Sequence, residues 1–275
     1  MSENTSTKLD IEKVTNEILA TIDREREREI ISRRFGLFDR KETLEQIGEL
    51  LGITRERVRQ LEKAVVARLK ALADQKQLPN IDQIQSAFKH ELEKTGNVAR
   101  ISDLSARLTR TNTRLDQARV SFLAQLCPDL AVIEDNDHYH HAVGLVAVHD
   151  EKKIKDHVTK IIEAVKKIGE PTHIDTIAET AGHSDSKNAA ALASVSKHLA
   201  HLNDRWGLIK WPMVNPKNIR DKIYVILYDN KKPMHFSEIA EAIKESDFKR
   251  KDVTTQAIHN ELIKNGRFVL IGRGI

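Results

Sequence analysis

Two threonines and the glycine between them constrain the N-terminal part of this chain more tightly than any other feature. Thr43 precedes the apolar set Leu44, Ile47, Leu50 and Leu51; Gly52 and Ile53 follow; Thr54 then precedes a second set, Val58, Leu61, Val65, Leu69 and Leu72. Both sets recur at the spacing of one helix face. Each threonine stands where its hydroxyl can accept from an unpaired N–H of a first helical turn. Two helices joined by a tight turn containing glycine make a helix-turn-helix, a unit whose second helix fits the DNA major groove.

With Val58, Leu61 and Val65 turned to the first helix and the local core, Arg55, Glu56, Arg59 and Gln60 fall on the outer face of the second helix, within its first two turns. These side chains suit base edges: Arg takes guanine O6 and N7, Gln takes adenine, and Glu accepts from cytosine N4. Arg57, Lys63 and Arg68 are placed to neutralise phosphates, and a helix N-terminus capped by Thr54 suits phosphate as well. The expected DNA-binding residues are therefore Thr54, Arg55, Glu56, Arg57, Arg59, Gln60 and Lys63.

Upstream, Ile11, Val14, Ile18, Leu19 and Ile22 follow helical spacing after Asp10, a suitable N-cap. The alternating run Arg24-Glu25-Arg26-Glu27-Arg28-Glu29 sets opposite charges three residues apart on a second helix and reads as a solvated face. Gly36 ends that helix. Residues 1–9 are rich in Ser, Thr and Asn and read as a disordered tail.

The segment from Asp23-Arg24-Glu25, through Arg33-Arg34-Phe35-Gly36-Leu37 and Thr43-Leu-Glu-Gln-Ile47-Gly48, to Thr54-Arg-Glu-Arg-Val-Arg-Gln60 and about Leu72 closely resembles region 4 of housekeeping bacterial sigma factors. The resemblance implies that the second helix enters the major groove of a −35 promoter element and that Arg55, Glu56, Arg59 and Gln60 each contact base or phosphate. It also implies a grip on the β flap of RNA polymerase. Sigma factors carry in addition an aromatic-rich region 2 that melts the −10 element. Only about twenty residues precede the match, so the chain is expected to be no complete sigma factor.

After Pro79 a repeat appears. Pro171-Thr-His173-Ile174-Asp-Thr-Ile177-Ala178-Glu179 and Pro233-Met-His235-Phe236-Ser-Glu-Ile239-Ala240-Glu241 share Pro, His, Ile, Ala and Glu at identical offsets. Helices are expected before them (154–168 and 219–228) and after them (188–202 and 253–263), then strands over 206–211 and 268–271. Helix, helix, helix, strand hairpin is the winged-helix order. A weaker copy lies upstream: Ile101 and Leu104 match Ile174 and Ile177, a helix follows over 112–126, and strands over 130–133 and 139–143 flank a Glu-Asp-Asn-Asp turn. His173 and His235 read as packing or capping positions, and Pro171 and Pro233 suit sites just ahead of a helix.

Lys232-Pro233-Met-His-Phe-Ser-Glu-Ile239-Ala240, with Val253 to Leu262 and Gly266-Arg267-Phe268, resembles the HARE-HTH family; Asp204-Arg205-Trp206-Gly207-Leu208 with Trp211-Pro212 is similar to the winged domain of the RNA polymerase delta subunit. Those resemblances imply binding to DNA or to transcription machinery. Gly272-Arg273-Gly274 reads as a wing turn with its return strand missing, which points to a truncated chain or a strand supplied by a partner; truncation is the preferred reading.

Composition narrows the setting. Charged residues make up 31%, hydrophobic residues 40% and aromatics 4% of 275 residues, with a net charge of +4, which favours a polyanionic partner over one large aromatic core. The single cysteine, Cys127, lies in an apolar run and excludes an internal disulfide. With no apolar signal core or membrane-length run, a cytoplasmic, nucleoid-associated location is expected. His138, Tyr139, His140 and His141, with His149 nearby, read as a solvated wing rim, because no Cys or carboxylate at ligand spacing completes a metal set. Trp206 and Trp211 read as wing and core packing. No phosphate loop, nucleophile elbow or zinc-protease motif is present, so neither enzyme chemistry nor a cofactor is expected.

The expected fold is mainly α: the disordered tail (1–9), a helix-turn-helix domain (10–78) and three small winged-helix domains with short β-hairpin wings (79–149, 150–216 and 217–275). The expected function is a DNA-binding transcription regulator that reads −35-like double-stranded DNA and contacts RNA polymerase. Two alternatives stay open: a polymerase-associated adaptor on the β flap with DNA secondary, or the DNA-targeting part of a larger enzyme.

Overall fold

The computed structural model describes residues 10–272 and 275. The N-terminal tail and the wing-turn residues Arg273 and Gly274 lie outside the described residues. The described residues are mainly helical with small antiparallel hairpins, and they divide into two compact units, one formed by residues 10–157 with 190–195, the other by 158–189 with 196–272 and 275.

In the first unit, α1 (Ile11–Ala20) starts at Asp10, whose carboxylate accepts from Lys13 N–H at 3.0 Å. Helix α2 (Glu25–Phe35) stops at Gly36 in the left-handed conformation. Helix α3 (Leu44–Leu51) opens with a reciprocal cap between Thr43 and Gln46, and α4 (Arg55–Asp74) opens on Thr54, whose hydroxyl accepts from Arg57 N–H at 3.2 Å. Ile30, Ile47 and Val58 close a small core where α2, α3 and α4 meet, with Leu44, Leu51, Ile53 and Leu61 around it.

Helix α5 (Ile81–Thr95), β1 (Val98–Arg100), α6 (Ile101–Leu108), α7 (Arg114–Leu126), β2 (Leu130–Ile133) and β3 (Ala142–Leu145) follow in full winged-helix order. The sheet runs β1-β3-β2, antiparallel throughout, with Val98 opposite Gly144 and Leu130 opposite Leu145. The upstream copy, weakest in sequence, therefore has a complete three-stranded sheet. Its core does not stand alone. Ile18, Ile31, Val65 and Leu69 join Phe88, Leu104, Phe122 and Leu123 in one apolar cluster.

That junction is made by α7. Residues 119–124 and Leu126 are buried, and the Phe122 ring packs edge-on to Phe35 with centroids 5.0 Å apart. Arg119 is buried with them; its Nε donates to the Leu37 carbonyl at 3.1 Å and its Nη1 to Glu12 at 3.0 Å. Cys127 follows as an inert core thiol, which burial and the nearby Asp129 push up to about 12.

Helix α8 (Glu151–Ile168), α9 (Ile174–Ala181), α10 (Ser186–Val195), β4 (Leu199–Leu202) and β5 (Arg205–Leu208) follow along the next copy. Here the helix expected over 188–202 ends at Val195. The buried Ser196 hydroxyl accepts from His198 N–H at 3.1 Å, an alternative to the helical bond. Asn203 and Asp204, both at positive φ, then form a two-residue hairpin turn that pairs β4 with β5. The strand expected over 206–211 is shorter and earlier for the same reason, and a turn from Leu208 to Trp211 follows it. An isolated bridge between Thr172 and Trp206 occupies the place of a first strand.

The last copy contains α11 (Ile219–Asn230), α12 (Phe236–Glu245) and α13 (Thr255–Lys264), packed around Ile223, Ile239, Ile243 and Ile258. His235 caps α12, exchanging bonds with Ser237 and Glu238. The strand expected over 268–271 does not form. No described segment pairs with it, and Val269, Leu270 and Ile271 are exposed. Among the described residues no helix is long and apolar enough to cross a membrane.

Candidate nucleic-acid interface

The turn between α3 and α4 is tight because Gly48 permits it. A Cβ there would stand 2.7 Å from the Ile53 carbonyl oxygen, inside van der Waals contact. Gly52 has φ +64°, a conformation natural to glycine, and nothing crowds it. The two glycines bring α3 against the start of α4 and fix how α4 projects.

Helix α4 then divides into two faces. Val58, Val65 and Leu69 are buried, whereas Thr54, Arg55, Glu56, Arg57, Arg59, Gln60 and Lys63 are all exposed. The structure thus brings every expected DNA-binding residue onto the open side of one helix. Four of them interlock. Glu56 accepts from Arg59 through two bonds, at 2.6 and 2.8 Å, and from Gln60 at 3.3 Å. Gln60 in turn accepts from Arg57 at 3.4 Å. The Arg59 bonds hold the Glu56 carboxyl down to about 2, and Glu56 raises Arg59 in return. Arg55 reaches back across the turn to Glu45 of α3, at 2.8 Å.

Behind this face lies a set of ion pairs that periodicity along the chain does not reveal. Glu27, expected in a solvated run, is buried and pairs with Arg24 at 3.3 Å and Arg68 at 2.9 Å. Arg68, expected at a phosphate, is therefore engaged in holding α4 to α2. Arg34 pairs with Glu62 at 3.1 Å, and Arg26 donates to the Leu51 carbonyl at the end of α3, at 2.7 Å. Spacing along α2 could not find these contacts, since Arg68, Glu62 and Leu51 all lie on other helices.

Residues 24–71 match the family model of sigma-70, region 4. The matched segment runs from the start of the α2 ion pairs to the last turn of α4, so it includes the whole interlocked face. Over 46 residues the chain is 50% identical to the RNA polymerase sigma factor sigB of Arabidopsis thaliana, covering 16% of this chain and 8% of that protein. It is 50% identical over 54 residues to the principal sigma factor HrdC of Streptomyces coelicolor, 19% of this chain and 16% of that one. It is 49% identical over 49 residues to the sigma factor RpoD of Helicobacter pylori, 17% of this chain and 7% of that one. The region 4 match thus spans less than a fifth of each of these relatives. No solved structure matches the chain.

The histidine cluster departs from its reading as a solvated rim. His138 is exposed, but His141 is half-buried, bonds to the Ser121 hydroxyl at 3.0 Å and is held below its ordinary value mainly by burial. His149 is buried with its ring 5.3 Å from that of His157. Trp206 stacks on His201 at 4.9 Å and Trp211 packs on the core of the last module, both in the packing roles expected.

Proposed function

We propose that the chain is a DNA-binding transcription regulator that reads −35-like double-stranded DNA through the N-terminal turns of α4. One observation carries this reading: Arg55, Glu56, Arg59 and Gln60 stand together on the open face, while the opposite face of α4 is closed into the core. Those residue types match the donor and acceptor code of the major groove. Arg57 and Lys63, with the Thr54-capped helix start, supply phosphate contacts that set register. The similarity to sigma factors supports a transcriptional setting with RNA polymerase as a second partner, its β flap included. The HARE-HTH and delta-subunit resemblances of the later modules agree with that setting. The role is binding, without a catalytic step.

The packing of α7 favours DNA reading over an adaptor that chiefly grips polymerase. Helix α7 covers the apolar sides of α1, α2 and α4, so what region 4 leaves open is mostly polar and cationic. The test uses the full chain, a −35-like duplex and a scrambled duplex over a salt series. Arg59→Ala with Gln60→Ala is expected to remove the preference for the −35-like duplex, a loss of roughly ten- to a hundredfold. Equal binding of the unsubstituted chain to both duplexes rejects promoter reading.

A further inference from the structure

Aromatic side chains make up only 4% of this chain, and two of its three tyrosines stand together on one open helix face. Helix α11 turns Lys222, Ile223 and Val225 inward, while Tyr224 and Tyr228, one turn apart, are 42% and 53% exposed. Their rings lie 6.2 Å apart, centroid to centroid, with planes inclined by 31°. Large rings left open forgo the burial that a small core gains most from. The rest of α11 does pack, so the exposure is confined to this stripe.

The stripe is held from one end. Arg205 of β5 reaches over Tyr228, its guanidinium carbon 5.4 Å from the ring centroid, where cation and ring attract. Asp229 fixes that guanidinium by an ion pair at 2.5 Å and accepts from Asn203 at 2.6 Å. Charge surrounds the two rings. Arg220 lies one turn before Tyr224, its Nε 3.9 Å from Asp221. Lys217 stands exposed before the start of α11, and Lys231 and Lys232 stand exposed beyond its end. None of these three lysines makes an ion pair among the described residues. Across α11, its two ends and the turn 203–205, the cations Arg205, Lys217, Arg220, Lys222, Lys231 and Lys232 outnumber the carboxylates Asp204, Asp221 and Asp229, and Asp229 is engaged internally.

We propose that this face of α11 binds single-stranded nucleic acid. Successive bases stack on Tyr224 and Tyr228, and the phosphates on either side meet Lys217, Arg220, Lys231 and Lys232. Every base has a π face, so stacking of this kind accepts any sequence, while cations along the path follow the backbone. At 1.5 Å per residue the helix gives a platform about 18 Å long. A duplex keeps its base faces stacked inside, out of reach of the rings, which separates this face from groove reading. A protein partner fits the stripe less well. Apart from the two tyrosines, the exposed residues of α11 are Arg220, Asp229 and Asn230, with no aliphatic side chain to form the apolar centre of a protein interface.

The site stands independently of the region 4 reading. The full chain, with and without Arg59→Ala and Gln60→Ala, is titrated over a salt series with oligothymidine and oligouridine of about twelve nucleotides and with a duplex. In both backgrounds Tyr224→Ala with Tyr228→Ala is expected to weaken single-strand binding at least roughly tenfold and to leave duplex binding unmoved. Tyr224→Phe with Tyr228→Phe is expected to keep the affinity, because stacking uses the ring and not the hydroxyl. Lys217→Gln with Arg220→Gln is expected to make the log–log salt slope shallower by about 1.4, at roughly 0.7 for each phosphate of a single strand. Binding of one oligonucleotide alone supports the site and tells DNA from RNA. Failure of both to bind, or an affinity indifferent to the loss of both rings, overturns the proposal. So does an alanine variant that keeps its oligonucleotide affinity but no longer captures purified RNA polymerase, a result that assigns the face to a protein.

Discussion

Arg68 of α4 places its Nη2 2.9 Å from the buried Glu27 carboxylate of α2, across 41 residues of sequence. The pair ties the helix that bears the interlocked Glu56, Arg59 and Gln60 to the helix behind it. Arg68→Ala strands a carboxylate in the interior with only the exposed Arg24 as a partner, so it is expected to cost about 2 kcal/mol of stability. Glu27→Gln removes the buried charge along with the pair and is expected to cost less. Urea midpoints of the two variants check the order; a neutral Arg68→Ala contradicts it.

Glu56 gives a pH signature. Its folded carboxyl titrates at about 2 against an ordinary 4.5, because Arg59 bonds the charged form. A depressed value means that the pair's contribution is complete above about 4.5 and is lost as pH falls towards 2. Carboxyl shifts followed by NMR are expected to show a midpoint near 2 in the free protein and a return towards the ordinary range in Arg59→Ala. A Glu56 midpoint that ignores Arg59→Ala disproves the interlock.

The two glycines of the turn are expected to differ. At Gly48 an added methyl meets the Ile53 carbonyl at 2.7 Å, so Gly48→Ala must separate α3 from the start of α4. At Gly52 the space is open and the cost is conformational, about 1 kcal/mol for alanine in a left-handed position. Thermal melts are expected to rank Gly48→Ala as the more damaging, and DNA affinity to fall with it. Equal melting temperatures for the two variants contradict the close approach.

Region 4 is not expected to fold when cut away at residue 78. Its helices share one apolar cluster with α5, α6 and α7, so residues 10–78 alone expose Ile18, Leu19, Val65 and Leu69 to water. Circular dichroism is expected to show a cooperative melt for residues 10–157 and a broad, weak one for 10–78. A sharp transition in the shorter piece shows that the shared cluster is dispensable.

Much of region 4 was legible because its signals are local. Asp10, Thr43 and Thr54 cap helices within three residues of themselves, and Gly36 and Gly52 stop them. The exposed face of α4 followed from the same periodicity that placed Val58 and Val65 inside. The burial of Glu27 was illegible because an alternating charge run looks alike whether its partners are water or Arg68. The role of α7 left a trace that spacing alone does not weigh: Val120, Phe122, Leu123, Ala124 and Leu126 spread around the helix rather than along one stripe, the mark of an element covered on more than one side. The helix expected over 188–202 stops short because past Val195 the Ser196 side-chain bond and the Asn203-Asp204 turn change the backbone, and the apolar residues beyond register neither. At 268–271 a strand-like composition was present without any described segment to pair with.

The bonds among Glu56, Arg59 and Gln60 bear on how the protein would search a genome. Under the proposed reading, while these side chains and Arg57 satisfy one another the face is closed, and contact with arbitrary sequence would rest on Lys63 and the helix start. Phosphate contacts of that kind are uniform along the duplex and permit sliding. Only a sequence offering Arg59 an acceptor as good as Glu56, and Gln60 a partner as good as its neighbours, repays opening the cluster. Residence time would then be set at the moment of exchange, and the chain would pass quickly over every site that has nothing better to offer than its own glutamate.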